Sequence, residues 1–221
     1  MNAKFYFLTP AYPFLLAAGA VVIERFSEKR NWQKLKGLIV ILMAIAGIFT
    51  APFSMPVLPV ESLVEMTTAM GGDAGIKQER HEIEELPQHF ADRFGWEKLA
   101  ETVAAVYNQL TAEEKSNVFI MTGNYGEAGA LRFFGKKYGL PEPISAHGWH
   151  YYDGPKNCNG EIMIYFGIPV KYLKFLFEEI TEAVVFKCKY CMPYENNIPV
   201  YICRKPKKPF PDIFEDLKHF N

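Results

Sequence analysis

The chain has 221 residues, of which 49% are hydrophobic and 22% are charged. This composition excludes the disordered, collagen-like and coiled-coil classes of protein. The formal net charge of -1 argues against a dedicated nucleic-acid-binding protein, because no excess of basic residues is left to neutralise phosphates.

The average composition conceals two different parts that meet near residue 60. Residues 1–60 carry six Lys or Arg and two Glu, a net charge of +4, and residues 61–221 carry 18 basic and 23 acidic residues, a net charge of -5. Only the second part has the composition of an ordinary globular domain. We therefore predict a membrane region over 1–60, a glycine-containing linker over 61–85 and an α/β domain over 86–221.

Two uncharged runs predict two transmembrane helices. Phe5–Ile23 and Gly37–Val60 are each long enough to cross roughly 30 Å of hydrocarbon at about 1.5 Å per residue. The second run contains Pro52, Pro56 and Pro59 near its end, so its helix is expected to end between Ala51 and Met55. For the first run a cleaved signal peptide is the alternative, because Ala18-Gly19-Ala20 fits a cleavage site.

The segment between the two runs predicts the topology. Arg25 to Lys36 holds five basic residues, and the positive-inside rule places such a short loop in the cytoplasm. Residues 61–221 are then extracytoplasmic. The predicted localisation is a multi-pass membrane protein, in contact with membrane lipid, with its carboxyl-terminal domain outside.

The four cysteines all lie in the predicted extracytoplasmic part, where disulfides are permitted: Cys158, Cys188, Cys191 and Cys203. Their pairing does not follow from the sequence. Cys188-Lys-Tyr-Cys191 could be a redox motif or half of a zinc site, but it falls in a predicted strand, and no second pair completes four ligands. A structural role is favoured, and no metal site is predicted.

The globular part alternates between helical and strand patterns. An amphipathic helix is predicted from Trp96 to Leu110, and Thr111 with Glu114 resembles a capping box. Further strands are predicted at Asn117–Thr122, Pro143–Ala146, Glu161–Gly167, Glu182–Tyr190 and Ile198–Arg204, and further helices at Leu131–Tyr138, Val170–Glu178 and Pro211–His219. This order predicts a three-layer α/β domain with an antiparallel edge hairpin.

A glycine turn between a predicted strand and helix is the first candidate site. The run from Gly123 to Ala130 does not match a dinucleotide or P-loop spacing, and Glu127 would repel a phosphate, so no cofactor is predicted. Asn124, Tyr125 and Glu127 suit a sugar or a polar head group. The alternative, equally weighted, is that the glycines permit close packing and Glu127 only caps the helix.

The loop after the second predicted strand is the other candidate. Its predicted ligand-binding residues are His147, Trp149, Tyr151 and Asp153. Metal binding by His147 and His150 is disfavoured, because no carboxylate stands at a fixed spacing from them.

Five segments of the chain resemble a known family: LPQHFADRFGWEKLAETVAAVY, GNYGEAGALRFFGKKYGLP, ISAHGWHYYDGP, MPYENNIPVYICRKP and DLKHF. They are similar to the carboxyl-terminal end of bacterial dolichyl-phosphate-mannose protein mannosyltransferase-like membrane glycosyltransferases of the GT-C class. The apolar run YFLTPAYPFLLAAGAVVIE looks like a late transmembrane segment of that family.

The resemblance implies transfer of a sugar from a polyprenyl-phosphate donor to an extracytoplasmic glycan, lipid or protein acceptor. The family's catalytic acid lies in an early extracytoplasmic loop with no counterpart here, so we expect a carboxyl-terminal portion that lacks the catalytic residue and contributes acceptor binding. The donor would bind the missing amino-terminal helices. Tyr152-Asp153-Gly154-Pro155 departs from the family's Trp-Gly-Pro loop.

A stand-alone, membrane-anchored binding module for an extracytoplasmic sugar or polar ligand is the alternative function. A soluble hydrolase or reductase is disfavoured, because the sequence contains neither a GxSxG elbow nor a dinucleotide fingerprint.

Overall fold

The structure is a computed structural model that describes residues 5–30, 32–69, 86–155, 158 and 161–220. The chain divides into two compact units, Met1–Leu63 and Val64–Asn221. Helix α3, Val60–Ala69, covers the start of the predicted linker, and residues 70–85 of that linker lie outside the described residues.

The first unit is helical. A 3-10 helix, Phe5–Ala11, leads into α1, Tyr12–Lys29, and α2 follows as Gln33–Ser54. Within the described part of the chain, one helix is long and apolar enough to cross a membrane, over Lys34–Ser54 with a mean hydropathy of 2.2. The predicted second span is thus matched by α2, which continues through Pro52 to Ser54.

The prediction of two membrane-spanning helices is wrong for α1 by the same criterion. This helix begins only at Tyr12, because a proline in the first turn fits a helix start, and it continues to Lys29. Its second half therefore includes Glu24, Arg25 and Glu28, which leaves too short an apolar stretch in α-helical form.

The second unit contains six further α-helices and five strands among the described residues. The helices are α4 Gln88–Ala91, α5 Trp96–Asn108, α6 Ala112–Asn117, α7 Tyr125–Phe134, α8 Val170–Leu176 and α9 Phe210–Asp216. The strands are β1 Val118–Thr122, β2 Ile144–Ser145, β3 Ile162–Phe166, β4 Phe177–Phe186 and β5 Ile198–Pro206. Short 3-10 helices occupy Gly135–Tyr138, Gly148–Asp153 and Pro193–Glu195.

The strands form one mixed sheet in the order β2-β1-β3-β5-β4. Strand β1 pairs in parallel with β2 and β3, and Ile120 lies opposite Ile164. Strand β5 is antiparallel to both β3 and β4. The predicted α/β class and the antiparallel hairpin at the edge are confirmed.

Side chains alternate between the two faces of the sheet, and on each face they belong to an apolar cluster. Even-numbered residues of β1 and β3 pack with residues of α5 and α7, such as Leu99 and Leu131. Odd-numbered residues of the same strands pack with residues of α8 and α9, such as Leu173 and Phe214. Helices therefore cover both faces of the sheet, and the carboxyl ends of three parallel strands meet at one edge.

The predicted bounds of β4 and of α7 are wrong. Strand β4 begins at Phe177 and ends at Phe186 because it pairs with β5 from Pro206 back to Ile198. The predicted strand, Glu182–Tyr190, thus begins five residues too late and ends four residues too late, and Cys188 and Cys191 follow the strand in a loop. Helix α7 begins before Leu131, since Asn124 caps its first turn.

Candidate functional site

The two predicted binding loops meet at the carboxyl ends of β1 and β2. The backbone N–H of Tyr125 donates to Nδ1 of His147 across 3.4 Å, and the centroids of the two rings are 5.0 Å apart. Parallel pairing of β1 with β2 produces this meeting, because both strands end at the same edge. Tyr125 and His147, which are 22 residues apart in the sequence, therefore lie in contact at this edge of the sheet.

His219 packs against His147 and hydrogen-bonds to the backbone on either side of it. His219 stacks on His147 with ring centroids 4.3 Å apart. The backbone N–H of His219 donates to the carbonyl oxygen of Ala146, and the backbone carbonyl oxygen of His219 accepts from the N–H of Gly148. No local sequence pattern indicated His219 as part of the site, because its position depends on a bridge between segments that are about 70 residues apart in the sequence.

Three large rings on these loops face solvent. Trp149 is 86% exposed, Tyr152 is 67% exposed and Tyr125 is 60% exposed. The centroids of Trp149 and Tyr152 are 5.6 Å apart. We call the group formed by Tyr125, Trp149 and Tyr152 the strand-end surface; His147, which lies beside Tyr125, is buried. Tyr152 was not among the predicted site residues.

Two other predicted binding residues hold the aromatic loop in place. The Tyr151 hydroxyl donates to Oε1 of Glu215 across 2.5 Å, and its ring stacks on Phe214. Asp153 accepts from the Arg132 guanidinium of α7 across 3.0 Å. Because both side chains already have strong protein contacts, we assign them to the support of Trp149 and Tyr152.

Asn124 and Glu127 form a reciprocal capping box at the start of α7. The Asn124 Oδ1 accepts from the Glu127 N–H across 2.9 Å, and Oε2 of Glu127 accepts from the N–H groups of Gly123 and Asn124 across 2.9 and 3.0 Å. The capping role that the sequence left open for Glu127 is thus present in the structure. Its carboxyl group points into the protein.

The burial of Glu127 is nearly complete, at 2% exposure. Burial raises the pKa of this carboxyl to about 8, although the N–H groups of Asn124 and Gly123 lower it, and Glu195 nearby raises it further. Gly167 packs directly on this group: a Cβ at that position would lie 2.4 Å from Oε2. Burial therefore favours the protonated form of Glu127, whose carboxyl group contacts the backbone of Gly123, Asn124 and Gly167.

A small cavity lies beside this carboxyl. Its walls come from four separated segments and include Trp96, Glu127, Cys191 and Glu195. Glu195 was missed by the sequence analysis, since it lies 68 residues from Glu127 and no local pattern links the two. Among the residues that the structure describes, no group of three His, Cys, Asp or Glu side chains is arranged to hold a metal ion.

Comparison with protein-family models, curated proteins and solved structures finds no match to this chain. The resemblance to membrane glycosyltransferases stays a prediction.

Proposed function

We propose that the chain is the carboxyl-terminal portion of a membrane glycosyltransferase, in which the α/β domain binds a sugar-bearing extracytoplasmic acceptor at the strand-end surface. The observation that carries the proposal is the exposure of Tyr125, Trp149 and Tyr152 on two loops at the carboxyl ends of parallel strands. Large exposed rings on a soluble domain mark binding surfaces when they are grouped.

The chemistry of the surface suits a carbohydrate. The apolar face of a sugar ring stacks on an aromatic side chain, and its hydroxyl groups exchange hydrogen bonds with amide and imidazole groups. Trp149 and Tyr152 offer stacking faces, while His147 lies beside Tyr125 at the base of the surface. Tyr151 and Asp153 fix the loop, which lowers the entropy that binding would otherwise lose.

The membrane part of the proposal is supported by α2, whose 21-residue candidate span, Lys34–Ser54, matches the hydrocarbon thickness of a bilayer. The proposed topology has α2 as a membrane span, with the basic residues that precede it in the cytoplasm and the α/β domain on the extracytoplasmic side. The polyprenyl-phosphate donor and the catalytic acid belong, in this proposal, to helices upstream of this chain. A stand-alone anchored binding module would use the same surface in the same way.

Tryptophan fluorescence of the full chain in lipid nanodiscs tests the proposal. Titration with mannose-containing and N-acetylglucosamine-containing oligosaccharides should change the emission of Trp149. Trp149→Ala should weaken binding, measured by calorimetry, by about threefold to tenfold, the loss of about one aromatic stacking contact. Phe133→Ala, which removes a ring that is 75% exposed near the far end of α7, is the matched control.

Equal weakening by the two variants would contradict a site at the strand-end surface, and so would the absence of binding to any oligosaccharide in the panel. Separating the two functions requires a transfer assay on the chain joined to its upstream helices, because only the glycosyltransferase predicts loss of transfer in Trp149→Ala. The topology is tested with a membrane-impermeant thiol reagent on intact cells, which should label a Cys introduced at Asp73 but not one at Ser27.

A further inference from the structure

The loop after β4 contains a disulfide between Cys188 and Cys191. A bond across only three positions of sequence closes a very short loop, so it restricts the unfolded chain little and contributes little to stability. It joins no two elements of the fold. A structural role therefore explains this disulfide poorly, and its surroundings suggest another use.

The two sulfur atoms lie at the start of a long helix. Gly95 is the N-cap of α5, which has 13 residues, and a Cβ at Gly95 would lie 2.6 Å from Sγ of Cys191 and 2.9 Å from Sγ of Cys188. The amino-terminal end of a helix stabilises a thiolate, and exposed Lys187 and Lys189 flank Cys188 in the sequence. Both features favour the reduced, anionic form of the pair.

The two cysteines differ in their access to solvent. Cys188 is half-buried, whereas Cys191 is only 5% exposed and its sulfur lies 3.3 Å from the carbonyl oxygen of Phe94. An incoming thiolate therefore reaches Sγ of Cys188 more readily. Cys191 is then the leaving group, and it leaves into the interior of the protein.

A proton donor for this leaving group borders the same cavity. Cys191 and Glu127 both line it, and Glu127 is the nearly fully buried acid of the capping box. Glu195 and Tyr165 are the other titratable groups whose charges interact with Glu127. A buried carboxylic acid that lines the same cavity as a buried leaving thiolate is suited to general acid catalysis, because a thiolate expelled into that cavity takes up a proton.

We propose that Cys188 and Cys191 form a redox-active centre that exchanges its disulfide with the dithiols of other proteins, with Glu127 as the proton donor to Cys191. A substrate thiolate attacks Sγ of Cys188, the bond between Cys188 and Cys191 breaks, and its electron pair passes to Sγ of Cys191, which takes the Glu127 proton. The second substrate thiol, after losing its proton to solvent, attacks the substrate sulfur of the mixed disulfide. The bond from that sulfur to Sγ of Cys188 breaks, Cys188 leaves with the electron pair as a thiolate, and Glu127 regains a proton from solvent. The substrate leaves oxidised, and the Cys188–Cys191 pair is left reduced by two electrons.

The first test measures reduction of the disulfide in the full chain in nanodiscs, in a Cys158→Ser background. Dithiothreitol is the dithiol probe, and acid quenching followed by a maleimide gel shift gives the reduced fraction over time. Glu127→Gln keeps an oxygen to accept from Gly123 and Asn124 but has no acidic proton. It should slow reduction at pH 7 by about tenfold or more.

Glu114→Gln is the matched control, because Glu114 holds the same position in the capping box of α6. It should leave the rate unchanged. Equal rates for the wild type, Glu127→Gln and Glu114→Gln would overturn the role of Glu127. Reduction only at urea concentrations that unfold the domain would overturn the redox centre itself.

The second test separates the two cysteines in the same background. Reduced Cys191→Ser retains the half-buried Cys188, and reduced Cys188→Ser retains the buried Cys191. With 5,5′-dithiobis(2-nitrobenzoate), the first variant should release thionitrobenzoate about tenfold faster or more, since thiol reactivity follows thiolate character and access. Equal rates, or the opposite order, would refute Cys188 as the attacked sulfur.

Discussion

The contact between Gly167 and Glu127 gives the sharpest prediction for stability. Gly167 has a φ of +86°, and a Cβ there would lie 2.4 Å from Oε2 and 2.6 Å from Oε1 of Glu127. In Gly167→Ala the left-handed backbone alone costs about 1–2 kcal/mol. The carboxyl group must also move away, which breaks its two bonds to backbone N–H groups at about 1 kcal/mol each. The expected loss in the free energy of unfolding is about 3–4 kcal/mol.

Gly139→Ala isolates the backbone part of this cost. Gly139 has a similar φ of +69°, but nothing lies within 4 Å of the position that its Cβ would occupy. Only the strain of about 1–2 kcal/mol should appear. Urea titration of the full chain in nanodiscs, followed by near-ultraviolet circular dichroism, measures both variants in the same way.

A double-mutant cycle identifies the cause of the difference. In a Glu127→Ala background the clash is absent, so Gly167→Ala should cost no more than Gly139→Ala does. The reasoning is refuted if Gly167→Ala and Gly139→Ala are equally destabilising in the wild-type background. It is also refuted if Glu127→Ala leaves the cost of Gly167→Ala unchanged.

Two further predictions concern the capping boxes. The pKa of Glu127 is raised from 4.5 to about 8 in the folded chain, so the folded state binds more protons than the unfolded state between about pH 4.5 and 8. The free energy of unfolding should therefore fall as pH rises through that window. Urea titrations from pH 5 to 9 should show this decline in the wild type and a smaller one in Glu127→Gln; matching slopes would contradict the assignment. Thr111→Ala removes the cap of α6 and should cost about 1 kcal/mol, while Thr102→Ala inside α5 should change stability by less than about 0.5 kcal/mol in the same titration.

Local sequence patterns predicted the elements that depend on contacts between residues close together in the sequence. The apolar stripe of α5 and the capping box of Thr111 and Glu114 involve neighbours three or four residues apart, and both are present in the structure. The bounds of β4 were mispredicted, because its range depends on pairing with β5. An edge strand with mostly exposed side chains has no clear alternation to reveal where it starts.

For the candidate site, too, features that depend on residues close together in the sequence were predictable, and contacts between distant segments were not. Strand-end loops are recognisable from the order of strand, glycine turn and helix, and the structure brings Tyr125 and His147 together as that order suggests. The spacing of three residues between Asn124 and Glu127 is typical of a capping box, so the sequence did indicate that the Glu127 side chain turns back toward the start of α7. The contact of Gly95 with the sulfurs of Cys188 and Cys191 had none, because it joins segments more than 90 residues apart in sequence.

Glu127 connects the two proposed sites. Its carboxyl group holds the backbone of Gly123 and Asn124, whose next residue, Tyr125, belongs to the strand-end surface, and it also borders the cavity beside Cys191. A Glu127 variant can therefore affect both sites, and its effect on disulfide exchange is identified only by an assay that follows the disulfide itself, such as the maleimide gel shift. The remaining tests use residues that belong to one site each: Trp149 for the surface, and Cys188 and Cys191 for the redox centre. Failure of one proposal then leaves the other open to its own test.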